Sequence, residues 1–242
     1  MSSLEPIDVY CLNFENDKRR TDMTNMFNKF DGLNVKWYKG VSINDTRISN
    51  TITNNHKRAW STCYGHLDMI NSFVNDSNKD YAIFCEDDIL IRNDFMQQIP
   101  ILIDIFTQNK FDILLLGYLC ERNLNGFPNF PEIQISKPPD FPLQIFKYLG
   151  LQTVWGTQMY LLSRKQGQYL LDKYYTDYAE RTLKDQNMIP FSADWTITKE
   201  GNRALIYPLL AIENNTSIYQ DNGQMRSRIE CYNFSYSKEM FG

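Results

Sequence analysis

The chain has 242 residues, 43% of them hydrophobic and 14% aromatic, with a formal net charge of −4. That length supports one substantial core or at most two small ones. The charge supplies no basic footprint for nucleic acid, and no stretch reaches the run of about eighteen apolar residues that a bilayer requires. Five scattered cysteines (Cys11, Cys63, Cys85, Cys120, Cys231) sit mostly in apolar runs and read as reduced and buried. Met1–Pro6 has neither a basic nor an apolar leader, so no signal peptide and a cytoplasmic location are expected. The two histidines, His56 and His66, argue against a histidine-built zinc site, and there is no dinucleotide-binding glycine pattern, phosphate-binding loop or nucleophile elbow.

In chain order, Ile7–Asn13 reads as a first strand. Asn16 or Asp17 caps a helix carrying Met23, Met26, Phe27 and Phe30 at helical spacing, and Asp31-Gly32 ends it. Lys18, Arg19 and Arg20 stand in the first turn, where the helix dipole disfavours cations. They face either a diphosphate or solvent. Val35–Tyr38 is a second strand, Thr51–Asn55 a polar linker, and His56 to about Val74 a second helix. Gly65 inside that helix points to close packing against a ligand or a strand. Its neighbour His66 is either a packed histidine or a ligand contact.

Tyr81-Ala82-Ile83-Phe84-Cys85 then runs into Glu86-Asp87-Asp88, and apolar Ile89-Leu90-Ile91 follows. Too short for a helix and rich in sheet formers, the apolar run reads as a buried strand. Period-two alternation would put Glu86 and Asp88 on one side and Asp87 on the other. Three adjacent carboxylates repel. At a strand's carboxyl end they suit a divalent cation gripping a diphosphate; the bland alternative is a solvated acidic turn.

Asp94 is placed to cap the next helix, which Pro100 kinks or restarts before about Thr107, and Phe111–Gly117 is a strand apolar on both faces. The alternation of strands and helices predicts an α/β sheet covered on both sides. Residues 120–150, with five prolines and with Phe127, Phe130, Phe141 and Phe146, read as an irregular functional loop. Thr153–Leu162 is a strand, Ser163 caps a helix to Tyr175, and Ser192 caps a short helix with Asp194 in its first turn. Leu205–Pro208 is a short strand, and the tail after Ile212 has no clear periodicity.

In order along the chain, Val9–Asn13 with Arg19-Arg20, Cys63-Tyr64-Gly65-His66-Leu67, Ile83–Ile89, Gly156–Lys165 and Ala193-Asp194-Trp195 resemble the motifs of glycosyltransferase family 25, the lipopolysaccharide-type and procollagen galactosyltransferase-like group. Gly65 stands where that family usually has serine, and Phe14 where aspartate often follows Asn-Leu. The resemblance implies a single GT-A, Rossmann-like domain with a central mixed sheet flanked by helices, residues 1–119 forming a nucleotide-sugar half and 120–242 an acceptor half. It also implies inverting transfer of a hexose from UDP-glucose or UDP-galactose to a hydroxyl of a glycan or of hydroxylysine in a collagen-like chain. Under it, Glu86 and Asp88 hold manganese or magnesium, Asn13, Arg19, Arg20, His66 and Asp87 line the donor, and Asp194 is the general base. Two other readings are a catalytically degenerate scaffold of the same fold and a metal-dependent phosphohydrolase. The second lacks the paired acidic cluster of two-metal enzymes.

Overall fold

The computed structural model describes residues 5–120, 133–148, 154–214 and 222–242. An eight-stranded mixed sheet runs in the order β2-β1-β3-β8-β5-β9-β7-β6. Its strands are β1 (Ile7–Asn13), β2 (Leu33–Lys39), β3 (Tyr81–Glu86), β5 (Ile113–Cys120), β6 (Ile133–Gln134), β7 (Gln144–Lys147), β8 (Val154–Ser163) and β9 (Arg203–Tyr207). β2, β1 and β3 are parallel, and β8 lies antiparallel between β3 and β5. A separate two-stranded ribbon joins β4 (Ile89–Ile91) to β10 (Ala211–Glu213). The fold is α/β, with helices covering both faces of the sheet.

Strand periodicity divides the core. Val9, Cys11, Ile83, Cys85, Met159 and Leu161 point to one face and pack with residues of α1 (Asp17–Phe27) and α3 (Phe95–Gln108). Tyr10, Leu12, Phe84, Tyr160 and Leu162 point to the other and pack with α2 (Asn54–Asp76) and α4 (Arg164–Tyr174). Phe84 is fully buried and stacked between Tyr10 and Tyr160 at ring-centroid distances of 5.1 and 5.3 Å. Cys11, Cys63 and Cys85 are buried free thiols, and Cys231 is buried as well. Among the described residues no helix is long and apolar enough to cross a membrane.

Several expectations are corrected. Thr53, not the polar linker's end, caps α2, so the helix starts at Asn54. Phe30 lies beyond α1, although it is buried with the same core. Asp94 makes no side-chain cap bond because its carboxylate is taken by Arg92 and Gln98. Pro100 neither breaks nor restarts α3, which is continuous from Phe95 to Gln108. Sitting in the second turn, it forfeits only one early helix bond. The described part of the 120–150 segment carries two strands, β6 and β7, with Phe141 and Phe146 buried; Phe127 and Phe130 lie outside the described residues. The tail after Ile212 contributes strand and helix: β10, α7 (Asn222–Ser235) and α8 (Lys238–Phe241).

Gly65 answers to a strand and not to a ligand. A Cβ there would come within 2.9 Å of both methyl carbons of the buried Leu12. Restoring the serine expected from the resemblance should therefore push α2 away from β1. Gly65→Ser is predicted to destabilise by about 1–3 kcal/mol, the usual cost of overpacking, measurable by urea unfolding. An unchanged midpoint would mean that Leu12 moves aside freely.

Candidate functional site

The acidic triplet ends β3 at the carboxyl edge of the parallel strands. β3 stops at Glu86, so strand alternation does not extend through Asp87 and Asp88. Instead the chain bends, and both aspartates reach one guanidinium. Arg19 Nη1 lies 3.1 Å from Asp87 Oδ1 and 3.2 Å from Asp88 Oδ2. The expected separation of Asp87 from Asp88 is thus replaced by a shared cation.

The local sequence explains why Arg19 is there. Asn16 caps α1 by accepting the Arg19 backbone N–H through its side chain at 3.0 Å. That directs the first turn at the end of β1, where Asn13 Nδ2 donates to Asp87 Oδ2 at 2.5 Å. The three basic residues then diverge. Lys18 is a solvated face residue paired with Asp22, whereas Arg20 lies over the Trp37 ring, 5.1 Å from its centroid. Arg20, Asn13, Asp17, Trp37 and Tyr38 help line a cavity of about 510 Å³ at the ends of β1 and β2. Asn13 joins this cavity to the carboxylates.

Glu86 is held from behind. Thr157 Oγ1 donates to its Oε1 at 2.7 Å, and His66 Nε2 lies 3.5 Å from the same oxygen. His66 is fully buried, with Nδ1 3.0 Å from the Tyr160 hydroxyl and Nε2 otherwise unpartnered. A histidine so enclosed reaches a ligand only through Glu86. Burial opposes ionisation of Glu86, but the His66 and Thr157 contacts prevail and keep its carboxyl below the ordinary range.

Asp194 comes to the same edge from α6 (Ala193–Thr196). Its Oδ1 accepts the backbone N–H of Gly156, a residue at φ +95° in which a Cβ would overlap the Gln158 carboxamide. Glycine is required there for both reasons. Ser192 makes no side-chain cap bond; its backbone carbonyl instead accepts from Thr196 N at 2.9 Å. The Asp194 carboxyl is raised, chiefly by burial and also by the charge of Glu86, against the Gly156 bond and Lys199.

Two further charged residues join from the chain's end. Glu213, at the tip of β10, receives Gln158 Nε2 at 3.4 Å and pairs with Arg228 of α7 at 3.3 Å. Neither was legible in the sequence: β10 is three residues long and α7 shows no apolar stripe. Thr157 and Tyr160 stand in a recognisable motif, yet nothing in that motif says that they support Glu86.

Negative charge is therefore in excess. Burial, with the charges of Glu86 and Glu213, pushes the Asp88 carboxyl up to about 8 although Arg19 opposes it. Burial likewise raises Asp87 and Glu213. Among the described residues no group of three or more His, Cys, Asp or Glu side chains converges as a metal cage. Hard carboxylate oxygens with unbalanced charge nevertheless fit magnesium or manganese, which commonly take one or two carboxylates and complete the shell with phosphate and water.

The raised carboxyl has a pH signature in the cation-free protein. An unfolded Asp titrates near 3.8, so between there and about 8 the folded state binds the extra proton. Stability attributable to Asp88 is full below that window and is lost as pH rises through it. In chelator, the melting temperature should fall between about pH 6 and about pH 8, and magnesium or manganese should narrow the gap. A pH gap indifferent to either cation would contradict this account of Asp88.

No family model matches the chain, and no curated protein matches it. Among solved structures it is similar to A197 from STIV, at 10% identity and TM-score 0.40 over 90% of this chain and 95% of that one. HddC from Yersinia pseudotuberculosis gives 12% identity and TM-score 0.34 over 87% of this chain and 73% of that one. A protein assigned as a glucose-1-phosphate thymidylyltransferase from Bacillus anthracis, in complex with a sucrose, gives 9% identity and TM-score 0.36 over 96% and 98%. At these scores the α/β class rests on this chain's own sheet, and the function on its own residues.

Proposed function

We propose that this protein is a metal-dependent inverting hexosyltransferase of GT-A type, taking glucose or galactose from a UDP-sugar to a hydroxyl acceptor. One observation carries the reading: adjacent residues of β8 hold both sides of the site, Thr157 hydrogen-bonding Glu86 at the end of β3 and Gly156 donating its N–H to Asp194 of α6. Residues 1–119 supply the donor half. Asn13 and Arg20, with Trp37 and Tyr38, offer the cavity in which the nucleoside binds. Glu86 and Asp88 are the residues that would hold manganese or magnesium. Such an ion, when bound, supplies Lewis-acid neutralisation of the departing diphosphate.

The remaining work belongs to the chain. Residues 120–242 supply the acceptor half. Asp194, its carboxyl raised towards the working range of a general base, takes the acceptor hydroxyl's proton. That oxygen forms its bond to the anomeric carbon while the bond from that carbon to the diphosphate oxygen breaks, and UDP leaves. His66, through Glu86, is a positioning residue. Asp87, tied to Asn13 and Arg19, keeps the end of β1 and the first turn of α1 in place.

The degenerate-scaffold reading draws on a different observation: Arg19 already stands between Asp87 and Asp88 as an internal cation. Assaying UDP release from UDP-glucose and UDP-galactose, with manganese and a panel of glycan and hydroxylysine acceptors, separates the two. Acceptor-stimulated UDP release supports the transferase; UDP-sugars left intact under every condition support the scaffold.

A further inference from the structure

Asp194 is flanked by two tryptophans. Trp195 follows it directly in α6, and Trp155 immediately precedes Gly156, the residue that donates to Asp194. Their rings meet edge to face with centroids 5.3 Å apart and planes at 73°, making a corner and not a flat stack. Both tryptophans are half-buried. Lys199, itself buried, hydrogen-bonds the Val154 carbonyl and sets its ammonium 4.7 Å from the Trp155 centroid and 5.8 Å from that of Trp195. The cation anchors both rings at favourable cation–π distance. The Trp155 indole N–H has no acceptor among the described residues, an unmade hydrogen bond that costs free energy. The Gly156 bond occupies only Oδ1 of Asp194.

A corner of aromatic faces around one carboxylate and one indole donor matches a pyranose. Its ring C–H groups present an apolar patch suited to an aromatic face, and its rim presents hydroxyls that need polar partners. A peptide backbone presents no comparable ring face to the two indoles; Trp155 lies in the part of β8 that pairs with β5, opposite Leu119, while β3 pairs β8 only from Met159 to Ser163. We propose that Trp155 and Trp195 form the acceptor subsite, and that the acceptor hydroxyl is carried by a hexopyranose. This rests on the hexosyltransferase reading for the role of Asp194, though the subsite's chemistry does not depend on the donor.

The chain has four tryptophans, so indole N–H resonances give one reporter for each region. Methyl glucopyranosides and methyl galactopyranosides should shift the Trp155 and Trp195 signals saturably while leaving Trp60 unmoved. UDP with magnesium should instead move Trp37, which lines the nucleoside cavity. Trp195→Leu should weaken glycoside binding about tenfold or more, and Trp195→Phe, which keeps a ring, by less; both should retain the Trp37 response. Glycosides that shift neither Trp155 nor Trp195 in a protein that still answers to UDP would overturn the subsite alone. A hydroxylysine peptide moving those signals where no glycoside does would also overturn it. Loss of the UDP response with an intact glycoside response would instead fail the transferase reading and leave a carbohydrate-binding site.

Discussion

Asp194→Asn should lower the turnover of hexosyl transfer by about 10²–10⁴-fold, the range that general-base catalysis contributes. The amide keeps the shape of the side chain and can still accept the Gly156 N–H, so the backbone at φ +95° and the α6 start stay in place. What it cannot do is take a proton. UDP affinity and melting temperature should therefore change little, and the loss should fall on kcat more than on donor KM. A variant retaining most of its turnover would remove Asp194 from the chemistry and leave it as a partner of Gly156.

Arg19→Ala should cost about 3–5 kcal/mol of stability, the usual consequence of removing one member of a buried ion pair. Asp87 is only 3% exposed, and the guanidinium and Asn13 are its observed side-chain partners. Asp88, already driven towards its neutral form, loses its nearest cation as well. The variant should also gain more melting temperature from manganese than wild type does, because the ion relieves the same uncompensated charge. Urea unfolding with and without the metal measures both effects. A wild-type midpoint in the variant would show that Arg19 is a solvated arm and not the counter-charge of the cluster.

The fold was legible wherever one principle dominated. Ile7–Asn13, rich in sheet-forming residues despite Asp8, reads as a strand and has those bounds in the structure. Ser163 caps α4, donating no hidden surprise, because its oxygen accepts from Gln166 N as a helix start requires. β6 and β7 were missed because prolines and aromatics obscured period-two alternation in strands of two and four residues. α7 was missed because its sequence carries no apolar stripe at helical spacing.

The site divides in the same way. Strand-end carboxylates announce themselves in Phe84-Cys85-Glu86-Asp87-Asp88, since three adjacent charges after a buried run need an explanation. That Asp194 would join them was expected only through the family resemblance, because contacts between residues so far apart in sequence have no local signal. Arg19 was expected to face either a diphosphate or solvent, and the partners it has in the structure are Asp87 and Asp88. Glu213 and Arg228 came from the least periodic part of the chain, yet they help set the electrostatics of Asp88 and Glu86. Charge balance at a site is a property of the assembled fold, and single segments do not report it.

Glu86 and Asp88 are proposed to hold a divalent cation that a uridine diphosphate shares. Calorimetric titration of UDP into wild type and Asp88→Ala, each with manganese and each with chelator, tests it most directly. Saturable binding in the wild type should require manganese and be lost in Asp88→Ala. UDP binding of equal strength with and without the metal, or undiminished in Asp88→Ala, would contradict it.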